Sequence, residues 1–329
     1  MRQRKNTKPR RAATRVLVGA AVVLLAGLFF HHYWLSLPVG TGPAGPPVPR
    51  QAFSRPWTDR PVLLVGLGDS VTAGFGSTRG HSYFERLVVN PPDEWPEMHG
   101  ISLGAVLPNL RWKNLSVSGS TSPYHLQREL PLIPKAGPRT FGVVVMTTGG
   151  NDLIHDYGRS APREDAMYGA TFQQAGPWIA AFETRLGTML DRIEAGFPGG
   201  CAIFLANIYD PTDAVGDARH MTLPPWKDGL RIHRAYNEVI ARCAADRPFV
   251  HLVNIHDPFL GHGIYCRQWW RRHYRRHDPT YWYCTIFEDP NNRGYDAIRR
   301  LFLLEMARVL PSQMTGPAAG RTPASAPHE

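Results

Sequence analysis

The hydrophobic pattern divides the chain before any motif is considered. Seven basic residues precede Val16, and Val16 to Phe30 (VLVGAAVVLLAGLFF) carries no charge. The apolar character continues to Leu37, broken at His31, His32 and Ser36. About 20 helical residues cross a hydrocarbon core, so residues 16–37 predict a membrane-spanning helix. Tyr33 and Trp34 fall where aromatic belts lie. The basic flank, residues 1–15, is expected on the cytoplasmic side, which sends the body to the extracytoplasmic side. No small-x-small cleavage site follows the apolar run. That favours an uncleaved signal anchor over a signal peptide; with cleavage the body would be secreted.

Beyond the leader, short apolar runs alternate with longer amphipathic ones. Residues 61–68 (PVLLVGLG), 110–115, 143–148 (VVVMTT), 201–208 (CAIFLANI) and 249–253 read as continuous buried strands, with 110–115 the weakest. Between them, Trp178, Phe182, Leu186, Met189, Leu190 and Ile193 recur at helical spacing, as do Leu230, Tyr236, Val239, Ile240 and Cys243. A last helix is expected near Arg293–Leu310, capped by Asn291 or Asn292. This alternation predicts a three-layer α/β/α sandwich with a five-stranded, mostly parallel sheet. In such sheets the site lies at the carboxyl ends of the strands.

Charge changes the picture only once it is located. The formal net charge is +10, but residues 1–58 hold nine Lys or Arg and no acid. The remaining residues hold 28 basic and 27 acidic side chains, so the body is almost neutral. Nucleic acid is therefore excluded as an expected partner.

Residues 38–49 (PVGTGPAGPPVP) contain five Pro and three Gly, and 38–56 reads as a stiff extended linker. The segment 312–329 has a similar composition and is expected to be disordered. The folded body is then 57–311. Within it, residues 264–284 form an insertion of five Arg, three Trp, four Tyr and two His, bracketed by Cys266 and Cys284. Outside the cytoplasm those two cysteines either pair or stay as free thiols. The insertion reads as a lid over the substrate, with docking on anionic headgroups as a further option.

Three strand ends carry chemistry. The first is followed by Gly66-Leu67-Gly68-Asp69-Ser70-Val71-Thr72-Ala73-Gly74, the second by Asn114 to Thr121 with Gly119 inside it, and the third by Gly149-Gly150-Asn151-Asp152. Together these blocks, in this order, resemble the SGNH (GDSL-type) hydrolase family of esterases and lipases, over most of residues 61–310. The resemblance implies a flavodoxin-like SGNH hydrolase fold and a serine nucleophile at Ser70. It also implies an oxyanion hole made of the N–H of Ser70, the N–H of Gly119 and the side-chain amide of Asn151. Neither a cofactor nor a metal is implied.

The last block departs from the family pattern. Where the family has Asp-x-x-His before Pro, this chain has Ile286-Phe287-Glu288-Asp289-Pro290. Asp289 occupies the histidine position, and a carboxylate of ordinary pKa is a weak base toward a hydroxyl. The base is therefore sought elsewhere: His262 first, His256 second and His277 third, with Asp257 or Asp289 as the orienting acid. Asp69 and the insertion's Arg267, Trp269 and Trp270 are the expected substrate contacts. The reading is a membrane-anchored serine esterase that acts on O-acetyl glycan or short-chain lipid esters. The alternative is a catalytically silent relative that binds glycan or lipid in the same cleft.

Overall fold

The computed structural model describes residues 8–315; the remainder of the basic flank (1–7) and of the expected tail (316–329) lies outside the described residues. One sheet of five parallel strands contains β1 (Val62–Leu67), β2 (Leu110–Asn114), β3 (Phe141–Met146), β4 (Cys201–Ala206) and β5 (Val250–Val253). The order is β2-β1-β3-β4-β5, the flavodoxin-like arrangement. Seven helices matter below: α1 (Lys8–Phe30), α2 (Ser70–Ala73), α3 (Tyr83–Val88), α4 (Gly150–Ile154), α5 (Phe172–Ala195), α6 (Gly229–Ala245) and α7 (Asn292–Thr315).

The central strands are apolar on both faces because both faces are covered. Leu64, Val143 and Phe204 join Tyr83 of α3 and Phe302 of α7 in one core layer. Val65, Val144 and Ile203 join Phe182 of α5 and Tyr236 of α6 in the other. The edge strand β2 differs from the expected buried run. Its residues Arg111, Trp112, Lys113 and Asn114 are exposed, and charges on a free edge discourage further strand pairing.

Helix α7 begins where expected. Asn291 Oδ1 accepts the N–H groups of Arg293 (2.9 Å) and Gly294 (3.1 Å), so Asn291 is the residue that caps it. The helix does not stop at Leu310. It continues through Pro311 to Thr315 and buries Met314 in the core, which carries the body past the expected boundary at 311.

The Pro-rich segment is not a free spacer. Ala44 and Val48 are buried, and the Ala44 N–H donates to Asp296 (3.0 Å). The Arg293 guanidinium donates to the carbonyls of Val39, Gly42 and Pro43. The Tyr281 N–H donates to the carbonyl of Pro38 (2.7 Å). Pro and Gly leave many carbonyls without helix or sheet partners, and here the body's side chains supply them. The apolar run upstream, Ala13–Leu35, is a 23-residue helical stretch in which residues 13–32 are exposed.

Cys266 and Cys284 form no disulfide with each other. Cys266 is sealed in the core, whereas Cys284 lies half-buried against Gly76.

Beneath the segment, Arg299 is fully buried between Glu94 and Asp296, and Arg300 binds Asp296 (3.0 Å) and Glu97 (2.7 Å). Removing one member leaves its partners charged and buried. Arg299→Leu is therefore expected to lower unfolding free energy by about 3–5 kcal/mol in urea titrations. Arg308→Leu, which breaks an exposed pair with Glu305, should cost under about 1 kcal/mol. Equal losses would show that the buried network is not what holds α7 to the body.

Candidate active site

The site forms where β1 and β3 diverge from their helices, at the point where the strand order reverses. After β1 the chain turns at Gly68, which has φ +122°. A Cβ there would lie 2.0 Å from the Thr147 carbonyl oxygen, so only glycine lets β1 and β3 run this close. Asp69 then caps α2, accepting the Val71 N–H (3.1 Å) and the Thr147 hydroxyl (2.7 Å). Burial raises its pKa. Asp69, expected to touch substrate, lines the cavity beside Ser70, while its Oδ1 is occupied within the protein and shapes the turn that presents Ser70.

The glycine loop is tied to the same turn. Gly68 O accepts the Val117 N–H (2.9 Å) and the Ser120 hydroxyl (3.2 Å), and Gly68 N donates to Glu129 Oε2 (2.8 Å). Gly119 sits at φ +80° with open space where a side chain would be. From α4, Asn151 Nδ2 donates to the Ser120 carbonyl (2.8 Å), which fixes its amide beside that loop. Among the described residues, the N–H groups of Ser70 and Gly119 donate to no acceptor. The structure thus brings Ser70, Gly119 and Asn151 to one corner of the sheet.

Sequence reasoning missed the polar frame behind this corner. His125 is fully buried, with Nε2 on the Ser120 hydroxyl (2.8 Å) and Nδ1 on the Thr148 hydroxyl (2.8 Å). Burial lowers its pKa to about 3, so it is neutral. Burial also raises Glu129 to about 7, although the Gly68 N–H and the Ser120 hydroxyl both favour its charged form. Nothing in the local sequence marks these residues, because their partners come from three separate strand ends.

The expected histidines are not brought to Ser70. His262 stacks on Trp282 (3.5 Å between ring centroids) and pairs Nδ1 with the Thr280 carbonyl (3.0 Å). Burial lowers its pKa to about 4. His256 is held by Asp257 (2.8 Å), so Asp257 orients His256 and not His262. That pair lies in an adjoining cleft with Arg234 and His273, which shares Asn207, Asp210, Leu230 and His233 with the cavity at Ser70. His277 is exposed on the insertion.

What faces Ser70 is Asp289. Its carboxyl is buried, which raises its pKa to about 7; the Ser70 hydroxyl, as hydrogen-bonding neighbour, pulls it down, and the Asp69 charge pushes it up. Its Oδ1 makes no hydrogen bond among the described residues. Glu288 beside it is likewise raised to about 7 by burial and by Asp289.

Ser70 and Asn151 open onto a cavity of about 160 Å³ walled mainly by Ile154, Ile208, Leu223, Trp226 and Leu230. No residue of the insertion 264–284 lines it. Arg267, Trp269 and Trp270, the expected substrate contacts, are thus not brought to this cavity. The backbone N–H groups of Gly261, Gly263 and Tyr265 are clamped on Asp213, and Arg267 reaches away to Ser36 (2.7 Å).

The model of the GDSL-like lipase/acylhydrolase family matches residues 67–297. A catalytic mutant of an acetylxylan esterase from Geobacillus stearothermophilus is 17% identical, with TM-score 0.47; the match covers 76% of this chain and 96% of that one. A lipolytic protein of the G-D-S-L family from Veillonella parvula is 13% identical, with TM-score 0.44, covering 75% and 97%. Phospholipase A1 from Streptomyces albidoflavus is 18% identical, with TM-score 0.43, covering 74% and 97%. No curated protein matches the chain.

Glu129→Ala should leave the Gly68 N–H short of an acceptor and destabilise the fold by about 1–3 kcal/mol in chemical denaturation. Glu129→Gln keeps an acceptor and should recover most of that loss. If the two variants are equally stable, the frame does not depend on this contact.

Proposed function

The chain belongs to the GDSL-like lipase/acylhydrolase family, a family of ester hydrolases, and on that premise we propose that it is a serine esterase whose base is Asp289. The observation that carries the reading is the Asp289 carboxyl, buried at the Ser70 hydroxyl with its pKa raised to about 7. A base is most effective when its pKa lies near the working pH, and burial gives this carboxylate the pKa that an imidazole has without help.

In the proposed reaction the Ser70 Oγ attacks the acyl carbonyl carbon while its proton passes to Asp289. The N–H groups of Ser70 and Gly119 and the Asn151 amide hold the resulting oxyanion. Pre-aimed donors of this kind typically contribute about 100- to 1000-fold each. Collapse expels the alcohol, which takes the proton back from Asp289 and leaves an acyl-Ser70 ester. Water, deprotonated by Asp289, then releases the acid and regenerates both groups. The apolar cavity next to Ser70 receives the acyl group. That favours short- or medium-chain acyl esters over O-acetyl groups, because an acetyl leaves most of the wall unmatched. The exposed apolar stretch Ala13–Leu35 supports a membrane anchor, with the basic flank cytoplasmic and the body outside.

Turnover of p-nitrophenyl acetate and butyrate by the full chain tests the reading. Ser70→Ala should abolish turnover, and Asp289→Asn should lower kcat by about 100- to 10,000-fold. His262→Ala should change it little, and butyrate should be preferred. Full activity in Asp289→Asn would remove the assigned base. Absence of turnover, with no Ser70 adduct from a fluorophosphonate, would favour the silent-binder alternative.

A further inference from the structure

The Arg- and Trp-rich insertion, left without a role at the active site, is joined to the end of the apolar helix. Trp270 lies 6.0 Å from Phe29 between ring centroids, stacked at 11°, and 4.8 Å from Tyr33 and 5.8 Å from Trp34. The Gln268 side chain donates to the Tyr33 carbonyl (3.1 Å), and Arg267 donates to the Ser36 hydroxyl (2.7 Å). Trp34 and Leu37 pack on the body's core. The next residues along are the docked segment that begins with the Pro38–Tyr281 hydrogen bond. The helix therefore leaves the body at a fixed place.

That attachment has a geometric consequence. Twenty-three helical residues, Ala13–Leu35, extend about 35 Å, slightly more than a hydrocarbon core of about 30 Å. If the helix spans, Phe29 to Trp34 lie at its outer boundary, and a side chain touching all three lies at the same depth. Trp270 is that side chain. Its neighbour Trp269 is 63% exposed, a large apolar surface with no cover on the body. Arg272, at the edge of the His256 cleft, and Arg276 follow, both exposed and with no ion pair among the described residues. Indole rings at the interface with guanidinium groups beside them match the chemistry of a bilayer rim: an amphipathic boundary below anionic phosphates.

We propose that residues 267–276 form a second membrane contact beside the helix, in which Trp269 and Trp270 enter the interface and Arg272 and Arg276 meet anionic headgroups. The occupant is the lipid of the same bilayer that the helix crosses. The body is thereby held down on the membrane surface. This inference rests on the anchor reading above and is independent of the chemistry at Ser70.

The test uses the full chain in nanodiscs of phosphatidylcholine, with or without phosphatidylglycerol, containing brominated acyl chains that quench nearby tryptophans. Trp34 reports on the helix itself. Trp34→Phe should remove part of the quenched emission, and Trp269→Phe with Trp270→Phe should remove roughly two thirds of it, as expected for three tryptophans at one interface. Hydrogen exchange at 267–276 should slow when phosphatidylglycerol is added, and Arg272→Gln with Arg276→Gln should abolish that slowing. Quenching that depends on Trp34 but not on Trp269 and Trp270 would overturn the second contact and leave the anchor intact. Absence of any quenching would overturn the anchor and this inference with it. Exchange indifferent to phosphatidylglycerol would overturn the headgroup role of the arginines.

Discussion

The site depends on how closely β1 approaches β3 at Gly68. With 2.0 Å between a would-be Cβ and the Thr147 oxygen, no other residue allows the two strand ends to meet. Once they do, Gly68 becomes a junction. Its carbonyl takes the glycine loop through Val117 and Ser120, and its N–H takes Glu129. Asp69 locks the following turn onto Thr147. Three strand ends are thus fixed by buried hydrogen bonds, the pre-organisation that the proposed oxyanion hole requires.

The same burial changes what a carboxylate can do. In water an aspartate is too acidic to take a serine proton, which is why histidine is the usual partner. Removing water raises the carboxyl pKa, and Asp69 nearby adds like-charge repulsion. The departure from Asp-x-x-His is therefore compatible with chemistry, because the environment supplies what the residue type lacks. An imidazole needs an acid to orient it; a carboxylate does not, and Ile286 stands where that acid would be.

Much of the fold was legible. The five strands follow from apolar runs, and the last helix from its period and its Asn cap. The strand-end blocks were legible because sharp turns demand glycine and because parallel sheets place their sites at strand ends. The proposed base was not legible, since the pKa of Asp289 depends on burial by segments distant in sequence. Glu129 and His125 were invisible for a related reason: each bridges Ser120 to another strand end, Gly68 or Thr148, and no local pattern records that. The insertion was ambiguous because Arg with Trp suits a lid and a membrane rim equally well by composition. Only the contacts with Phe29, Tyr33 and Ser36, more than two hundred residues earlier, separate the two.

The most direct measurement of the central claim is the rate of fluorophosphonate labelling of Ser70 as a function of pH. A carboxylate base acts when ionised, so the rate should climb as pH rises through about 7 and level off above it, following the Asp289 titration. In Asp289→Asn the rate should be low and lose this step. An unchanged step in that variant would contradict the account, since some other group would then be taking the proton.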